Sequence, residues 1–333
     1  MSSNGHGPSR ELPSPLPSLD NGSVKPVLFL GETLVDFICE RPIGDWSEAK
    51  AFTPRCGGAI TNAAIVAARC GATVALGGGV GDDQWGHWLE QRLLEEHVDL
   101  RWWSRLRGQE TAAAFVVIDE HAVPESLIYG HGIEDAMKSL WLGIDAAVGS
   151  SAAVVLGSNT LVGESEREIS RRTQKIALST GKPILFDVNL QLHRWRSPKA
   201  AADVVKKFCE GALLVKLSGD EARLLTGEDD PVAAAEMVCW SLGVRIAVVT
   251  LGANGAIMRG EAEADASGIE ASVVDTNGAG DALTGVLVAA LANANFDPRA
   301  AARALPLAIE IAARATEGFG ATDSIPRSIS LPC

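Results

Sequence analysis

The segment Asp275-Thr276-Asn277-Gly278-Ala279-Gly280-Asp281 runs straight into the apolar stretch ALTGVLVAAL, which has helical composition. Glycines there let the backbone approach a ligand closely, and the first free amides of the helix point at whatever sits in front of it. An anion, above all a phosphoryl group in transfer, suits that position. Asp281 falls in the first helical turn, where it can take a proton from an attacking hydroxyl while the amides stabilise the developing charge. The plain alternative is a Gly-rich turn starting a helix, with an Asp that merely suits the dipole. A second segment, Cys56-Gly57-Gly58-Ala59-Ile60-Thr61-Asn62, puts two glycines at a helix start and an amide one turn in. The Asn62 amide offers donor and acceptor together, as adjacent sugar hydroxyls require. In Gly31-Glu32-Thr33-Leu34-Val35-Asp36 the Asp36 carboxylate follows a buried strand and is a further hydroxyl partner. Each also reads blandly: Gly57 and Gly58 as turn formers, Asn62 as a cap, Asp36 as an exposed strand residue.

The elements that must position these residues alternate in type. VLFLGE, TVALGG, AAVVLG, PILFDVN, ALLVKLS and RIAVVTLG read as buried strands. Helical patterns separate them: AITNAAIVAARC, with Ile60, Ala63, Ala64, Ala67 and Ala68 on one face, then 83–96, 164–179, 198–209, 220–225 and 231–242. A short hairpin near 256–258 precedes SVVD and a long C-terminal helical stretch. This alternation predicts an α/β fold with a mostly parallel central sheet covered by helices on both faces. Ligands then bind beyond the carboxyl ends of the strands, where the three segments lie. LVDFICE and the stretch from 100 to 130, with AAAFVVID and SLIY as strands and no helix between, predict a small β-sheet lid. We expect a disordered leader over residues 1–25, rich in Ser, Pro and Gly, and one domain over 26–333 with lid strands from about 34–54 and 100–130.

The composition narrows the function. The 333 residues carry a formal charge of -13, 47% hydrophobic and 21% charged residues, and a single Tyr. Such a surface repels phosphate backbones and anionic lipid, so neither a nucleic acid nor a membrane is expected as partner. No apolar run approaches the roughly 20 residues of a membrane span, and the N-terminus lacks a signal-peptide core. Six cysteines without metal-ligand spacing read as reduced thiols of a cytoplasmic protein. GGGVGDD (77–83) lacks the GxGxxG spacing of a dinucleotide fingerprint, which argues against a dehydrogenase. Trp102-Trp103 are expected at the lid or an interface, and His193 on the surface.

Taken together, GETLVDF, GGAITNAA with VGDDQWG, DVNLQLHRW, KLSGDEARLLTG, VVTLGANGA and DTNGAGD resemble the ribokinase-like (PfkB-type) carbohydrate kinases, and most closely their fructokinase-like branch. The likeness runs from about Leu28 to Pro326. It implies a ribokinase-like fold with Asp281 as catalytic base and Gly278, Ala279 and Gly280 as the anion hole. It implies sugar contacts from Asp36, Gly57, Gly58 and Asn62, and the sugar-side segment DVNLQLHRW adds Asn189 and Gln191. It places Lys216 and Ser218, with Thr250, Gly252 and Gly255, beside ATP. Glu221 would organise the hydration shell of Mg²⁺, and a monovalent cation such as K⁺ would sit beside the anion hole. The lid would close over the sugar and join a homodimer.

Five residues at four sites depart from the family pattern. Ser218 stands for an Asn, Gln191 for a frequent Arg, Ile309 for an Asn near the adenine, and His121-Ala122 for a common lid turn. The expected activity is ATP-dependent phosphorylation of a hydroxyl on a small neutral sugar, a fructose-like ketose first and ribose next. Arg55, Arg194 and Arg196 are expected on the rim. The alternatives are a nucleoside kinase, a sugar-acid (2-keto-3-deoxygluconate) kinase, or an inactive relative acting as a binding protein.

Overall fold

A computed structural model describes residues 24–332. The expected leader therefore lies, but for its last two residues, outside the described part. The chain opens with β1 (Val27–Leu30), β2 (Leu34–Pro42) and β3 (Thr53–Gly57), then α1 (Ala59–Arg69), β4 (Val74–Gly81) and α2 (Gln84–Glu95). Next come β5 (Asp99–Leu106), β6 (Ala113–Ile118), β7 (Pro124–Tyr129), α3 (Gly132–Ser139), α4 (Ile144–Ser150), β8 (Ala153–Gly157) and α5 (Glu164–Ser179). The second half contains β9 (Ile184–Asp187), α6 (Pro198–Cys209), β10 (Leu214–Ser218), α7 (Gly219–Thr226), α8 (Pro231–Leu242) and β11 (Ile246–Thr250). It ends with β12 (Gly255–Gly260), β13 (Ala264–Ser267), α9 (Ala279–Asn293) and α10 (Pro298–Ala315).

Nine strands form one sheet in the order β13-β12-β11-β10-β9-β8-β1-β4-β5. Pairing is parallel from β11 to β5, and the β12–β13 hairpin adds antiparallel strands at the far edge. Strand residues alternate between the two faces. Val27, Phe29 and Val155 join α1, α9 and α10 in one core, whereas Leu28, Leu30 and Phe186 join helices α3 to α8 in the other. Small residues on α1 bring α9 close: a Cβ on Gly285 would lie 2.6 Å from the Ala63 carbonyl oxygen. The chain grows outward from β1 to β4 and β5, then returns to lay β8 on the opposite side of β1. That reversal opens a crevice beyond the ends of β1 and β8, the usual ligand position in such sheets.

A separate sheet of order β3-β2-β6-β7 covers the crevice. Its make-up corrects the expected lid. Leu100–Leu106 belongs to β5 of the large sheet, where Trp102 and Trp103 pair with Gly77 and Gly78 of β4 and pack into the two cores. Neither Trp belongs to a lid strand, but Trp103 packs in one cluster with Val35 and Phe37 of the lid, as expected. Half-buried alternation looks alike in an edge strand of either sheet, and only its entry from α2 distinguishes β5. Helices α3 and α4 were not anticipated; they are short and separated around Gly143. SVVD forms no strand, and GGGVG lies within β4.

The C-terminal segment is pinned to α1. Arg69 pairs with Glu96 at 2.7 Å and donates to the carbonyls of Thr322 and Ile325 at 2.6 and 2.9 Å. This brings Ala321 against Gly278 at the start of α9.

Candidate active site

The cavity beneath the lid has a volume of about 280 Å³. Its floor comes from the ends of strands and the starts of helices, and its roof from Leu34, Val116, Pro124 and Ile128 of the lid sheet. Alternation along β2 turns Asp36 inward while Val35 and Phe37 face away. Asp36 is buried, and Gly57 lies so close beneath it that a Cβ there would meet Asp36 Oδ2 at 2.1 Å. Gly58 has φ +103° and precedes α1; a side chain there would strike the Glu32 carbonyl oxygen at 2.4 Å. The tight entry lets the first turn of α1 reach across the cavity.

Asn62, one turn in, donates from Nδ2 to Asp281 Oδ2 at 2.9 Å, and its own Oδ1 is buried without a partner. Asp281 stands in the first turn of α9, behind Gly278 in the left-handed conformation at φ +79°. From the other side, Asn189 Nδ2 lies 3.5 Å from Asp281 Oδ1. Asn189 itself has φ +34°, a conformation that non-glycine residues adopt at a cost and that here aims its amide inward. Gln191 Nε2 donates to Asn189 Oδ1 at 3.4 Å. Below them Asp187 accepts from Lys216 Nζ at 3.0 Å and from Thr284 Oγ1 at 2.6 Å. Lys216 Nζ lies directly under Gly280, 2.6 Å from where a Cβ would stand.

Burial dominates the electrostatics. It pushes the Asp281 carboxyl up to about 7, with Asp187 adding to the effect and the Asn62 hydrogen bond and Lys216 opposing it. Asp36 also reaches about 7, through burial first and then the charges of Asp281, Asp275 and Glu32. Burial works against the Lys216 ammonium, yet Asp187, Glu221 and Asp281 together hold its pKa above the ordinary lysine range. The result is a proton acceptor poised near neutrality, facing helix amides and a fixed cation. Such a site can deprotonate a hydroxyl and stabilise charge arriving on an anion.

Most of the expected residues meet here. Asp36, Gly58, Asn62, Asn189 and Gln191 line the cavity, as do Lys216, Gly278, Gly280 and Asp281. Gly57 supports Asp36 from behind, and Ala279 continues the α9 start. Ser218 and Glu221 lie instead beside a neighbouring groove of about 670 Å³ that also involves Leu190, Leu192 and Arg223. There both Glu221 oxygens accept backbone N–H groups, from Leu190 at 2.6 Å and Ser218 at 2.7 Å, while Ser218 Oγ caps α7. Thr250, Gly252 and Gly255 line neither space; Thr250 pairs in register with Ser218 across β10 and β11. Ile309 is buried in the core between α9 and α10.

No group of three or more His, Cys, Asp or Glu residues suited to a metal occurs among the described residues. A metal ion carried on phosphate oxygens and water needs no such cage, and Glu221 beside the groove fits that mode. The amides of 278–281 and the Lys216 ammonium fit the phosphates of ATP.

Among the described residues, Lys216 is the sole Lys or Arg lining the cavity. Arg55 pairs with Glu40 and Asp323, and Arg196 and His193 are exposed. Arg194 comes nearer, donating to Asn159 Oδ1 at 3.1 Å. Several site residues had escaped notice: Glu32, Asn159, Asp187, and Thr276, whose N–H and hydroxyl both donate to the lid carbonyl of Ala122 at 3.1 and 3.0 Å. Only their membership of GETLVDF, DVNLQLHRW and DTNGAGD marked three of them.

Known proteins are similar to this chain in sequence and fold. The family model described as "pfkB family carbohydrate kinase" matches residues 25–328. A probable fructokinase-7 of Arabidopsis thaliana is 33% identical over 80% of this chain and 79% of its own length. Fructokinase-2 of Solanum lycopersicum is 29% identical over 79% and 80%. Among solved structures, a fructokinase of Vibrio cholerae in its fructose-, ADP- and calcium-bound form superposes with a TM-score of 0.78 at 26% identity, covering 91% of this chain and 96% of that one. A fructokinase of Xylella fastidiosa with bound ATP gives 0.77 at 25% identity, covering 91% and 96%. Family match and fold agree, and the chain belongs to the pfkB family of carbohydrate kinases.

Proposed function

We propose that this carbohydrate kinase transfers the γ-phosphoryl group of ATP to a hydroxyl of a small neutral sugar, a fructose-like ketose first and ribose next. The observation that carries the reading is Asp281: a buried carboxyl near neutrality at the start of α9, held by Asn62 inside a sugar-sized cavity. Asp36, Asn62, Asn189 and Gln191 orient the sugar beside Gly58, with Gly57 backing Asp36. Asp281 takes the proton from the reacting hydroxyl as its oxygen attacks the γ-phosphorus in line. The amides of Gly278, Ala279 and Gly280 and the Lys216 ammonium stabilise the charge on the transferring group, since phosphoryl transfer is largely positioning and electrostatics. Ser218, Thr250, Gly252 and Gly255 border the nucleotide on the β10–β11 side. Bound Mg²⁺, its waters ordered by Glu221, supplies charge neutralisation on the phosphates. A K⁺ ion beside the 278–281 loop completes the proposal, next to the buried Asp275 carboxyl.

The neutral sugar follows from charge: among the described residues no Arg lines the cavity, and its one Lys stands at the phosphate end. The names of the relatives support fructose over ribose. Comparing kcat/KM for fructose, ribose, 2-keto-3-deoxygluconate and fructose 6-phosphate tests this. Fructose should lead, and a preference for either anionic sugar refutes the neutral pocket and points to Arg194.

A homodimer joined through the lid belongs to the same proposal. The outer face of the lid sheet carries Phe37 stacked on Phe115 at 5.2 Å, with Tyr129 56% and Leu127 41% exposed beside them. A second copy of this face would cover that patch. Sedimentation at micromolar concentration should show a dimer that Phe115→Asp dissociates; a monomeric wild type refutes it.

A further inference from the structure

Glu32 lines the cavity, and nothing in the reaction above employs it. It follows β1 and is 2% exposed. Its Oε1 accepts two hydrogen bonds, from Ala59 N at 3.0 Å and Asn159 Nδ2 at 2.9 Å. Its Oε2 is buried with no hydrogen-bond partner among the described residues. The neighbouring donors are already committed. Arg194 Nη1 donates to both Oδ1 and the backbone carbonyl of Asn159, at 3.1 and 3.3 Å, which fixes the amide with its NH₂ toward Glu32. Arg194 is thus occupied one residue away. A buried carboxylate oxygen without a donor is unfavourable, and native proteins leave few. Burial accordingly pushes the Glu32 carboxyl pKa up, against the opposing pull of Asn159 and Arg194.

The first turn of α1 relates this carboxyl to the reacting one. Ala59 N holds Glu32, and Asn62, three residues on, holds Asp281. The two carboxyls therefore flank the cavity at a separation set by one helical turn. A sugar whose reacting hydroxyl faces Asp281 has another hydroxyl on the Glu32 side of its ring.

Resting on the sugar-kinase reading above, we infer that the Glu32 carboxylate, which lines the cavity, accepts a hydrogen bond from a non-reacting hydroxyl of the bound sugar, which makes Glu32 a specificity-determining residue. A hydroxyl can donate there. A carboxylate, a phosphate or a carbonyl cannot, and the first two also meet like charge. Glu32 thereby selects for a neutral polyol at the carbon opposite the reaction.

The test compares fructose with its deoxyfluoro analogues, one non-reacting carbon at a time, on wild type, Glu32→Gln and Glu32→Ala. Fluorine keeps the size of the hydroxyl and removes the donor. For wild type, one analogue should lose about 10–100-fold in kcat/KM, the scale of one hydrogen bond to a charged group. For Glu32→Gln that discrimination should collapse to within about threefold, the variant losing on fructose what the wild type loses on the analogue. Calorimetric titration of each sugar without ATP supplies a readout independent of turnover and should show the same collapse. Glu32→Gln keeps the Oε1 contacts and covers the case in which Glu32→Ala fails to fold. An unchanged penalty in Glu32→Gln, or equal losses on every sugar, overturns the inference alone. Failure of the wild type to phosphorylate any neutral sugar overturns the functional reading and this inference together.

Discussion

Replacing Asp281 by Asn should make the enzyme slower and, at alkaline pH, more stable. The folded protein pushes this carboxyl from an ordinary 3.8 to about 7, mainly by burying it. Three pH units correspond to on the order of 4 kcal/mol between the charged and neutral forms. Because the folded pKa is the higher one, the native state binds the proton more tightly than the unfolded chain. Below about pH 4 both states are protonated and the penalty is absent; it grows through pH 4–7 and is fully present above the folded pKa. Asparagine is neutral throughout and can still accept from Asn62. The attraction to Lys216 is already contained in that value, so the gain is on the order of 4 kcal/mol at pH 8. For a chain of this length that is roughly 6 °C in Tm. At pH 5 the gap should shrink to less than half. The assay is thermal unfolding of both proteins at pH 5 and pH 8, beside kcat, which should fall about 10²–10⁴-fold with ATP affinity retained. A variant no more stable than wild type at pH 8, or a Tm gap independent of pH, refutes the electrostatics; undiminished kcat refutes the base.

Gly57→Ala places a Cβ 2.1 Å from Asp36 Oδ2 and must displace that carboxyl. A displacement of about 1 Å at a positioning group costs on the order of 10²-fold in kcat/KM, and unchanged sugar kinetics would remove Asp36 from the pocket. Arg69→Met leaves Glu96 with only the Arg327 contact and frees the carbonyls of Thr322 and Ile325. The expected loss is about 3 kcal/mol, read from urea unfolding midpoints, and a loss below about 1 kcal/mol counts against the tether.

The large sheet was legible because its strands are buried on both faces. VLFL, AVVLG and the ILF of β9 are continuous apolar runs, and α1 announces its packing through Ala63, Ala64 and Ala67. β5 was misplaced because half-buried alternation does not say which sheet a strand joins. The short helices α3 and α4 carry too few turns to show a period. In the site, Asp281 and Asn62 stood out through the glycines before their helices, and Asp36 through its place just after a buried strand. Glu32 did not, since its meaning arises from Asn159, 127 residues away. Asp187 likewise acquires its place only when Lys216 and Thr284 close on it from two other elements. Glu221 shows the converse: the residues of a capping box lie within one motif, but its second partner, Leu190, comes from a different loop.

The central claim is that Asp281 takes the proton from the sugar hydroxyl. The pH dependence of kcat/KM for fructose, measured on wild type, Asp36→Asn and Asp281→Asn, tests it most directly. The active form carries Asp281 ionised, so the wild-type rate should fall tenfold per unit below about pH 7. Asp36 can bond a hydroxyl in either protonation state, so the limb should survive in Asp36→Asn, shifted to lower pH as a neighbouring negative charge is lost. It should vanish from the residual activity of Asp281→Asn. A wild-type profile flat from pH 5.5 to 8, or the same acid limb in Asp281→Asn, contradicts the account.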